Sequence, residues 1–447
     1  MGGLLLAALL WMPLIGCTTT ARTVRLDTGE GRLLVHVPLA DVEPVELNED
    51  EFQGAVVELA RSSRIPVRPQ EAARRLFEVD ARSASYTYEH HNRRIIPLGP
   101  GEHLEEEPPA AEVELTRAYL RWCGRTGRTG DCLCLLTESP LVNGDGRFAL
   151  ALALAKGAVL DEMLEAFKDM ADPHAMVAAV LWTWTTYMVL LSIPDVTVSK
   201  GLAAVMTATL ISYVGIDTFW GLIVGFKRLM DEADRATTFN ELRETGERYG
   251  KVMGRNAARA FAMLATAALG NTAVGLATKV PTLPGSAPAA VRAAEQGGYW
   301  LPAVAEVRTV AITTETLTLS LAPGATAMAA QGTKPGSRVD VHHIATIENS
   351  KSTLRGGPWT PKFQKLFARA GMRMKDAENT VPIEGHKGPH PERYHQLVFE
   401  ELDGAMQGCR GLAECRAALT RALDWLAREI ATPGTELNQL VTRGAPR

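Results

Sequence analysis

Three long stretches almost without charge constrain the fold of this 447-residue chain most strongly. They are Met176–Pro194, Gly201–Phe226, in which Asp217 is the one charged residue, and Ala260–Thr278. A helix that is apolar on every side must be enclosed by protein or by lipid. The first two stretches are long enough to span a bilayer. The sequence therefore leaves two alternatives open: a membrane span, and a buried or conditionally inserting helical hairpin.

The sequence around these stretches indicates a mainly helical middle region. Val113–Trp122 and Ala149–Ala171 carry apolar residues at helical spacing, and Lys227–Lys251 fits a charged amphipathic helix. We therefore expect a multidomain chain that is mainly α over residues 111–280.

The regions on either side have a different pattern. Residues 17–110 are polar, and we expect a mixed α/β region there. Its predicted strands and helices are Val24–Leu26, Leu33–Val37, Asp50–Ser62 and Gln70–Phe77. Residues 281–335 are rich in Pro, Gly and Ala, which is typical of a linker. Within this linker, Val307–Leu321 alternates like a pair of strands.

The N-terminus resembles the signal of a bacterial lipoprotein. Leu4–Ile15 is an apolar run of the length of a signal-peptide core, too short to cross a bilayer comfortably. It ends in Leu14-Ile15-Gly16-Cys17, which resembles a lipobox, although the first three residues lack the usual basic charge. The resemblance implies a signal peptide over residues 1–16 and lipidation of Cys17. Thr18, where an Asp would retain the protein in the inner membrane, favours the outer membrane. A secretory signal without lipidation and a buried strand are the alternatives.

Charge is distributed unevenly along the chain, although 47 Lys and Arg against 51 Asp and Glu leave a net charge of only −4. Residues 331–447 carry 17 basic and 13 acidic side chains, or +4, so the preceding part carries −8. Five of the ten histidines lie between His342 and His395. The hydrophobic fraction of 46% excludes a mainly disordered chain. We expect residues 336–447 to form a separate C-terminal domain that carries the chemistry.

The C-terminal domain has a mixed pattern of strands and helices. We predict a strand and loop, a helix, a strand and two further helices at Arg338–Thr346, Pro361–Ala370, Asn379–Ile383, Glu392–Met406 and Gly411–Ile430. An α+β domain follows from this order of elements.

The cysteines allow few cross-links. With Cys17 lipidated, five cysteines remain, and an odd number argues against a complete disulfide framework. Cys123 lies close enough in sequence to Cys132 and Cys134 to bridge to one of them, although buried thiols are the simpler interpretation. Cys409 and Cys415 can close a short loop.

The clustered histidines suit a metal site with acid–base chemistry. Neutral imidazole is the commonest metal ligand in proteins and a general base near pH 7. Hydrolysis of a phosphodiester needs a metal on the phosphate, a base for water and cationic groups for the developing charge. Surface histidines without a function are the alternative.

A zinc peptidase fits the same histidines poorly. His386 and His390 have the spacing of a zincin helix, but that motif needs a Glu beside the first His. Lys387 occupies that position, and Gly388-Pro389 opposes a helix.

Several separated motifs resemble the AHH nucleases of the HNH/endonuclease VII superfamily. These motifs are His342-His343-Ile344-Ala345-Thr346, Leu354-Arg355-Gly356-Gly357-Pro358-Trp359-Thr360-Pro361, Phe367 with Ala370-Gly371-Met372, Asn379, Gly385-His386-Lys387-Gly388-Pro389-His390 and Tyr394-His395. Val341 stands where the family has its name-giving Ala. Domains of this family serve as toxin modules in bacterial polymorphic toxins. The layout of lipobox, variable middle and C-terminal toxin domain also resembles the Sit lipoprotein toxins of myxobacteria.

The resemblance implies a ββα-metal (His-Me finger) fold with one divalent cation, which the sequence leaves open among Mg²⁺, Mn²⁺, Ni²⁺ and Zn²⁺. It implies that His342 is a metal ligand and that His343 is the general base for water. Two of His386, His390 and His395 would complete the site. We favour His390 and His395 as ligands because a helix starts just after Pro391, which leaves His386 near the phosphate.

The resemblance also suggests supporting roles. Asn379 resembles the asparagine that braces the catalytic loop in the superfamily, with a plain turn residue as the alternative. Arg355, Lys387 and Lys351 are candidate phosphate contacts, although a solvated charge is the simpler interpretation of each one taken alone.

Two hypotheses for the function follow. The first is a contact-delivered lipoprotein toxin whose C-terminal domain is a metal-dependent endonuclease that cuts nucleic acid, DNA rather than RNA, in non-immune bacteria. It implies a cognate immunity protein, a membrane anchor at Cys17 and an outer-membrane exchange machinery. The second is a non-catalytic, metal-binding surface lipoprotein.

Overall fold

A computed structural model of the chain describes residues 22–27, 33–38, 42–79, 86–89, 91, 93–97, 109–155, 157–194, 196–199, 201–313, 316–322 and 339–442. The predicted signal peptide and Cys17 lie outside these residues, so the lipobox remains a prediction from sequence.

The described part of the chain is mostly helical. Its helices are α1 (Glu49–Arg61), α2 (Pro69–Phe77), α3 (Ala110–Arg125), α4 (Asp145–Ala155), α5 (Gly157–Ala166), α6 (Pro173–Leu191), α7 (Leu202–Val214), α8 (Ile216–Arg235), α9 (Phe239–Ala268), α10 (Ala273–Lys279), α11 (Ser286–Arg292), α12 (Thr360–Arg369), α13 (Glu392–Met406), α14 (Leu412–Ala431) and α15 (Glu436–Thr442). Its strands are β1 (Thr23–Asp27), β2 (Leu33–His36), β3 (Tyr86–Glu89), β4 (Arg94–Pro97), β5 (Thr197–Ser199), β6 (Val307–Ile312), β7 (Thr316–Leu321), β8 (Val339–His343) and β9 (Thr380–Glu384). Shorter helical turns lie at Val280–Thr282, Ala293–Gly297, Leu301–Glu306, Leu354–Gly356 and Ala377–Asn379.

Side-chain caps explain where several helices begin. Asn48 Oδ1 accepts from the backbone N–H of Glu51 at 2.8 Å and starts α1. Thr238 and Glu241 form a reciprocal capping box at the start of α9. The prediction of one helix over Lys227–Lys251 is therefore wrong, because α8 ends before this capping box and a new helix starts after it.

The two ends of the helical region meet in one mixed sheet. Its strand order is β2-β1-β7-β6-β5, with β1 antiparallel to β2 and parallel to β7. The strands predicted at Val24–Leu26 and Leu33–Val37 and the strand pair predicted within Val307–Leu321 are confirmed.

Residues 281–322 are folded, which differs from the linker expected over 281–335. Leu283, Ala289 and Val304 are buried in the same core as the helices. Pro281 and Pro288 occupy the first turns of helical segments, where proline is tolerated because no helical N–H is needed. The proline and glycine content therefore marks short helices rather than connecting material.

The uncharged stretches lie inside this helical body. By length and composition, α6 is the one described helix that could cross a membrane, and α7 with α8 would add a second if their 116° bend were straightened. In this structure, 83% of the apolar window of α6 is buried, among α2, α4, α5, α8 and α9. The stretches therefore form the centre of the core, which is one of the two alternatives that their lack of charge left open.

Glycine lets α9 approach α4 closely. A Cβ on Gly246 would collide with the carbonyl oxygen of Ala151, and a Cβ on Gly250 with that of Ala155. Only glycine permits this approach of two helix backbones, so these two positions fix the packing of α4 against α9.

The C-terminal domain forms around its own apolar core. β8 pairs with β9 antiparallel, with His342 opposite Val381 and His343 opposite Thr380, and α13 follows β9. Phe363 of α12 and Leu402 of α13 are fully buried in this core. The fold is therefore a mainly helical chain with a small α+β C-terminal domain, as predicted, while α15 is an element that the sequence did not predict.

Side chains from the helical body join the C-terminal domain. Trp300 is 3% exposed, belongs to the C-terminal core, and donates from its indole N–H to the carbonyl of Thr380 at 3.2 Å. Arg373 donates in the opposite direction, to the carbonyl of Thr282 at 3.0 Å. Because Thr380 pairs with His343, this contact ties the body to the strand that carries the histidines.

Two disulfides are present among the described residues. They join Cys123 to Cys132 and Cys409 to Cys415, and Cys134 is free. The loop closed by Cys409 and Cys415 and one of the two bridges open to Cys123 are thus confirmed, the simpler interpretation of buried thiols is wrong for Cys132, and the odd cysteine is Cys134.

Candidate metal centre

The two adjacent histidines lie where β8 ends. His342 is 4% exposed and His343 is half-buried. Successive residues of a regular strand face opposite sides, yet both line the same open cavity of about 370 Å³. The residues around this cavity are His342, His343, Thr346, Ile347, Glu348, Asn349, Ser352, Leu354, Arg355, His386, Gly388, Pro389, His390 and His395.

Tyr394 fixes the orientation of His342. The Tyr394 hydroxyl donates to the carbonyl of Ile344 at 2.9 Å and lies 2.5 Å from His342 Nε2. Since a tyrosine hydroxyl has one proton, it must accept from His342 Nε2–H. The proton of the neutral His342 ring is therefore on Nε2, and Nδ1 keeps a lone pair. This is the arrangement by which partners outside a metal site orient a histidine ligand.

Three histidines converge at this point. Ring nitrogens of His342, His386 and His390 all lie within 4.8 Å of one another. The Nε2 atoms of His386 and His390 are 3.1 Å apart. The loop that carries them turns at Gly385, whose φ of +74° is a conformation that favours glycine. We refer to these three residues as the histidine triad.

The electrostatics of His342 and His390 favour neutral rings. Burial, and then the charge that His390 and His386 would carry, hold the pKa of His342 well below its usual range. Burial, followed by His386, lowers the pKa of His390 to about 4. Imidazole binds a metal only when it is deprotonated. Three imidazoles with converging nitrogens fit a divalent cation such as Zn²⁺ or Ni²⁺.

His343 has a different environment from the triad. Burial is the main cause that lowers its pKa; nearby Lys375 adds to this effect, while Glu348 opposes it. His343 is therefore a neutral, half-buried imidazole that faces the cavity, and such a ring can accept a proton.

His395 lies beside the triad and outside it. Its ring stacks on Trp359 at 5.7 Å between centroids, and its centroid is 6.3 Å from that of His390. Its Nδ1 has no hydrogen-bond partner among the described residues. Burial, followed by the charge of Arg355, lowers its pKa to about 4. The structure thus brings His386, and not the favoured His395, together with His342 and His390.

Of the predicted phosphate contacts, Arg355 lies at the cavity. It lines the cavity, and its charge contributes to the lowered pKa values of His390 and His395. Its backbone has a φ of +56°, and its carbonyl accepts from the Trp359 indole at 2.7 Å. Lys351 and Lys387 are exposed and are absent from the described lining of the cavity.

Asn379 braces the loop after β8. It is fully buried, and its side-chain oxygen accepts from the N–H of Ala345 at 2.7 Å. Its amide nitrogen donates to the carbonyls of Ala345 at 2.9 Å and Met374 at 2.8 Å. Asn379 does not line the cavity, so its contacts position the loop and do not touch a substrate.

Sequence reasoning missed some of the residues that support this site. Tyr394 received no role, although its spacing of four from His390 on the approach to a helix was a usable signal. The N–H of Lys387 donates to the carbonyl of Val441 at 2.8 Å, so α15 supports the loop that carries the triad. Nothing in the sequence pattern indicates that contact.

Residues 323–430 match a family model named AHH, described as a nuclease family of the HNH/ENDO VII superfamily with conserved AHH. The C-terminal domain of this chain belongs to that nuclease family, as its motifs predict. No curated protein and no solved structure matches the chain. Nucleases of the HNH/ENDO VII type use a divalent metal, and the histidine triad is where this domain can hold one.

Proposed function

We propose that the C-terminal domain is an endonuclease that hydrolyses phosphodiester bonds with one divalent cation bound by His342, His386 and His390. The observation that carries this proposal is the convergence of the three ring nitrogens within 4.8 Å, in a domain of a nuclease family. The proposed substrate is nucleic acid, with DNA as the first candidate.

Each residue at the cavity has a distinct part in this reaction. His343 accepts a proton from the attacking water, since its ring is neutral at pH 7 and faces the cavity. The guanidinium of Arg355 binds non-bridging phosphate oxygens, a contact that is stronger than one between neutral groups. When bound, the cation supplies stabilisation of the negative charge that develops on the phosphate. Tyr394 and Asn379 hold His342 and its loop in position.

The test is a cleavage assay with the chain from Thr18 onward, on plasmid DNA and on RNA, with Mg²⁺, Mn²⁺, Ni²⁺ or Zn²⁺. We expect cleavage of at least one polymer. His343→Ala should abolish cleavage while metal binding, measured by calorimetry, stays intact. His386→Ala should lose both metal binding and cleavage.

A matched control separates the triad from its neighbour. His395→Ala should retain metal affinity within a few-fold, because His395 lies outside the triad. If the wild-type chain cuts neither DNA nor RNA with any of the four metals, the endonuclease proposal fails. Metal binding without cleavage would then favour a non-catalytic metal-binding lipoprotein.

We also propose that the chain is an outer-membrane lipoprotein toxin delivered to other bacteria by contact. The support is the lipobox-like Leu14-Ile15-Gly16-Cys17 and the position of the nuclease domain at the C-terminal end. A nuclease that kills neighbouring cells requires a cognate immunity protein in the producer. Transfer between cells would require an outer-membrane exchange machinery, and the nuclease would act in the cytoplasm of the target.

Two measurements test the toxin proposal. Palmitate labelling should depend on Cys17, so labelling that persists in Cys17→Ser would contradict lipidation. Cytoplasmic expression of the chain should be toxic, and a small neighbouring open reading frame should relieve the toxicity. Toxicity that survives in His343→Ala would show that killing does not depend on the nuclease.

A further inference from the structure

Helix α6 has the composition of a membrane span although it lies in the core. Its 19 residues contain no Asp, Glu, Lys or Arg and reach a mean hydropathy of 1.4. At 1.5 Å per residue it is about 28 Å long, close to the thickness of the hydrocarbon core of a bilayer. A helix that is apolar on every side lies either in the core of a large protein or in a membrane, and α6 has no solvent-facing polar stripe.

Four hydroxyl groups of α6 and α7 donate within their own helices, whereas Thr185 Oγ1 has no partner among the described residues. Thr183 Oγ1 donates to the carbonyl of Ala179, and Thr207 Oγ1 donates to that of Ala203, each at 2.8 Å. Thr209 and Ser212 make the same bond four residues back, at 2.7 and 3.0 Å. Such bonds move with the helix, so these groups would stay paired in lipid, where water is absent.

Helices α7 and α8 can form a second apolar segment. They meet at Gly215, where φ is +78° and the bend is 116°. Glycine adopts helical and left-handed conformations with similar ease, so the bend can straighten without strain from a side chain. The bend is stabilised from outside, because Gln296 Oε1 accepts from the N–H of Ile216 at 3.2 Å and Arg22 pairs with Asp217 at 2.7 Å.

Polar contacts with the body are few on α6, whereas those of the α7–α8 segment, at Ser212, Tyr213, Ile216 and Asp217, have to be given up on release. Among the described side-chain hydrogen bonds of α6, one reaches a residue outside the two segments: Trp182 Nε1 donates to the carbonyl of Leu133 at 3.1 Å. The hydrogen bond at 2.7 Å between Tyr187 and Thr207 joins α6 to α7 and so stays within the pair. The connection between the two segments is held by β5, a three-residue strand at the edge of the sheet that pairs with β6.

We propose that α6 and the α7–α8 segment are a membrane-inserting hairpin, stored in the core and released into a lipid bilayer when β5 separates from β6. In the bilayer the apolar faces exchange protein contacts for lipid. The connection, with Asp195 and Lys200, passes to the far side, as the tip of an inserting hairpin must. This activity is additional to the nuclease and would give the chain its own means of entering a membrane.

The test uses the chain from Thr18 onward, without the lipid anchor, and vesicles of phosphatidylethanolamine and phosphatidylglycerol. After incubation, the vesicles are washed with alkaline carbonate and treated with protease, and the protected peptides are identified by mass spectrometry. We expect protected peptides from within residues 173–226. Full extraction by carbonate, or protection of other regions alone, overturns the proposal.

Two variants act on the pairing of β5 with β6 without changing either apolar segment. Val198→Pro removes a backbone donor from β5 and should raise the inserted fraction at least threefold over the control Val198→Thr. Ser199→Cys combined with Thr309→Cys joins residues that face each other across β5 and β6. Its oxidised form should insert at least threefold less than its reduced form, while wild-type protein with and without reductant provides the reference. Equal insertion by the oxidised and reduced forms would overturn the release mechanism.

Discussion

Asn379 and Ala345 are joined by two reciprocal hydrogen bonds, N–H of Ala345 to Oδ1 at 2.7 Å and Nδ2–H to the carbonyl of Ala345 at 2.9 Å. The backbone ladder between β8 and β9 ends at the pair of His343 and Thr380, and the Asn379 side chain takes its place at Ala345. Since Ala345 follows the two histidines by two residues, this side chain sets the path of the chain as it leaves the metal centre.

Asn379→Ala should destabilise the C-terminal domain and lower nuclease activity. It leaves one N–H and two carbonyl groups unpaired in a fully buried place, which costs about 2–4 kcal/mol in the free energy of unfolding. Urea denaturation measures this cost. The partly buried Asn438 side chain, which donates to the carbonyl of Ile430 at 2.9 Å, is a weaker control in Asn438→Ala. An equal loss of stability in the two variants would show that Asn379 has no special position.

Tyr394→Phe should weaken metal binding more than it weakens the fold. The variant removes the acceptor for His342 Nε2–H and so releases the ring from its fixed orientation. Loss of such an outer partner lowers metal affinity about 10- to 100-fold. Calorimetric titration with Zn²⁺ measures this change. Tyr249→Phe is the matched control, because the buried Tyr249 hydroxyl has no described partner, and it should leave the affinity unchanged.

The fold was predictable where local signals and burial agree. The helices predicted at Pro361–Ala370 and Glu392–Met406 match α12 and α13 closely, because apolar spacing and end signals coincide there. Gly371 has a φ of +62° just after α12, as a helix-ending glycine should. The fold of residues 281–322 was not predictable, since proline occurs both in linkers and in the first turns of short helices, as Pro281 and Pro288 do here.

The candidate site was predictable in its residue types and only partly in its arrangement. The sequence places a helix start just after Pro391, and α13 does begin at Glu392. That start directs His395 towards Trp359, while the turn at Gly385 brings His386 back to His390. Which ring converges with the others depends on a loop turn and on packing against an aromatic side chain. Neither appears in the spacing of histidines along the chain.

Trp300→Phe should destabilise the C-terminal domain although residue 300 lies outside the segment that matches the nuclease family. The variant removes the indole donor to the carbonyl of Thr380, leaves a buried carbonyl unpaired, and should cost about 1–3 kcal/mol. Trp425→Phe is the control, because Trp425 is 44% exposed and its change should stay within about 0.5 kcal/mol. Thermal unfolding measures both. Identical melting temperatures for the two variants would mean that the body does not support the nuclease core.

Glu378→Gln should stabilise the protein at high pH and lose this effect in acid. Glu378 is 3% exposed, and its Oε2 has no described partner. Burial, with the nearby Asp376, raises its pKa from 4.5 to about 7, against the opposing charges of Arg416 and Arg373. The contribution of protonated Glu378 to the stability of the fold is therefore complete below about pH 4.5 and is lost as the pH rises through 7.

The neutral amide of Glu378→Gln avoids the buried charge. The free energy of unfolding of Glu378→Gln should exceed that of wild type by about 3 kcal/mol at pH 8, from the size of the pKa shift. This difference should fall towards zero near pH 4. Urea denaturation at pH 4, 6 and 8 gives the three differences. Glu400→Gln, at an exposed position of α13, should show no such slope. A pH-independent difference for Glu378→Gln would show that the pKa of Glu378 is the same in the folded and unfolded states, so that its burial has no effect on its protonation.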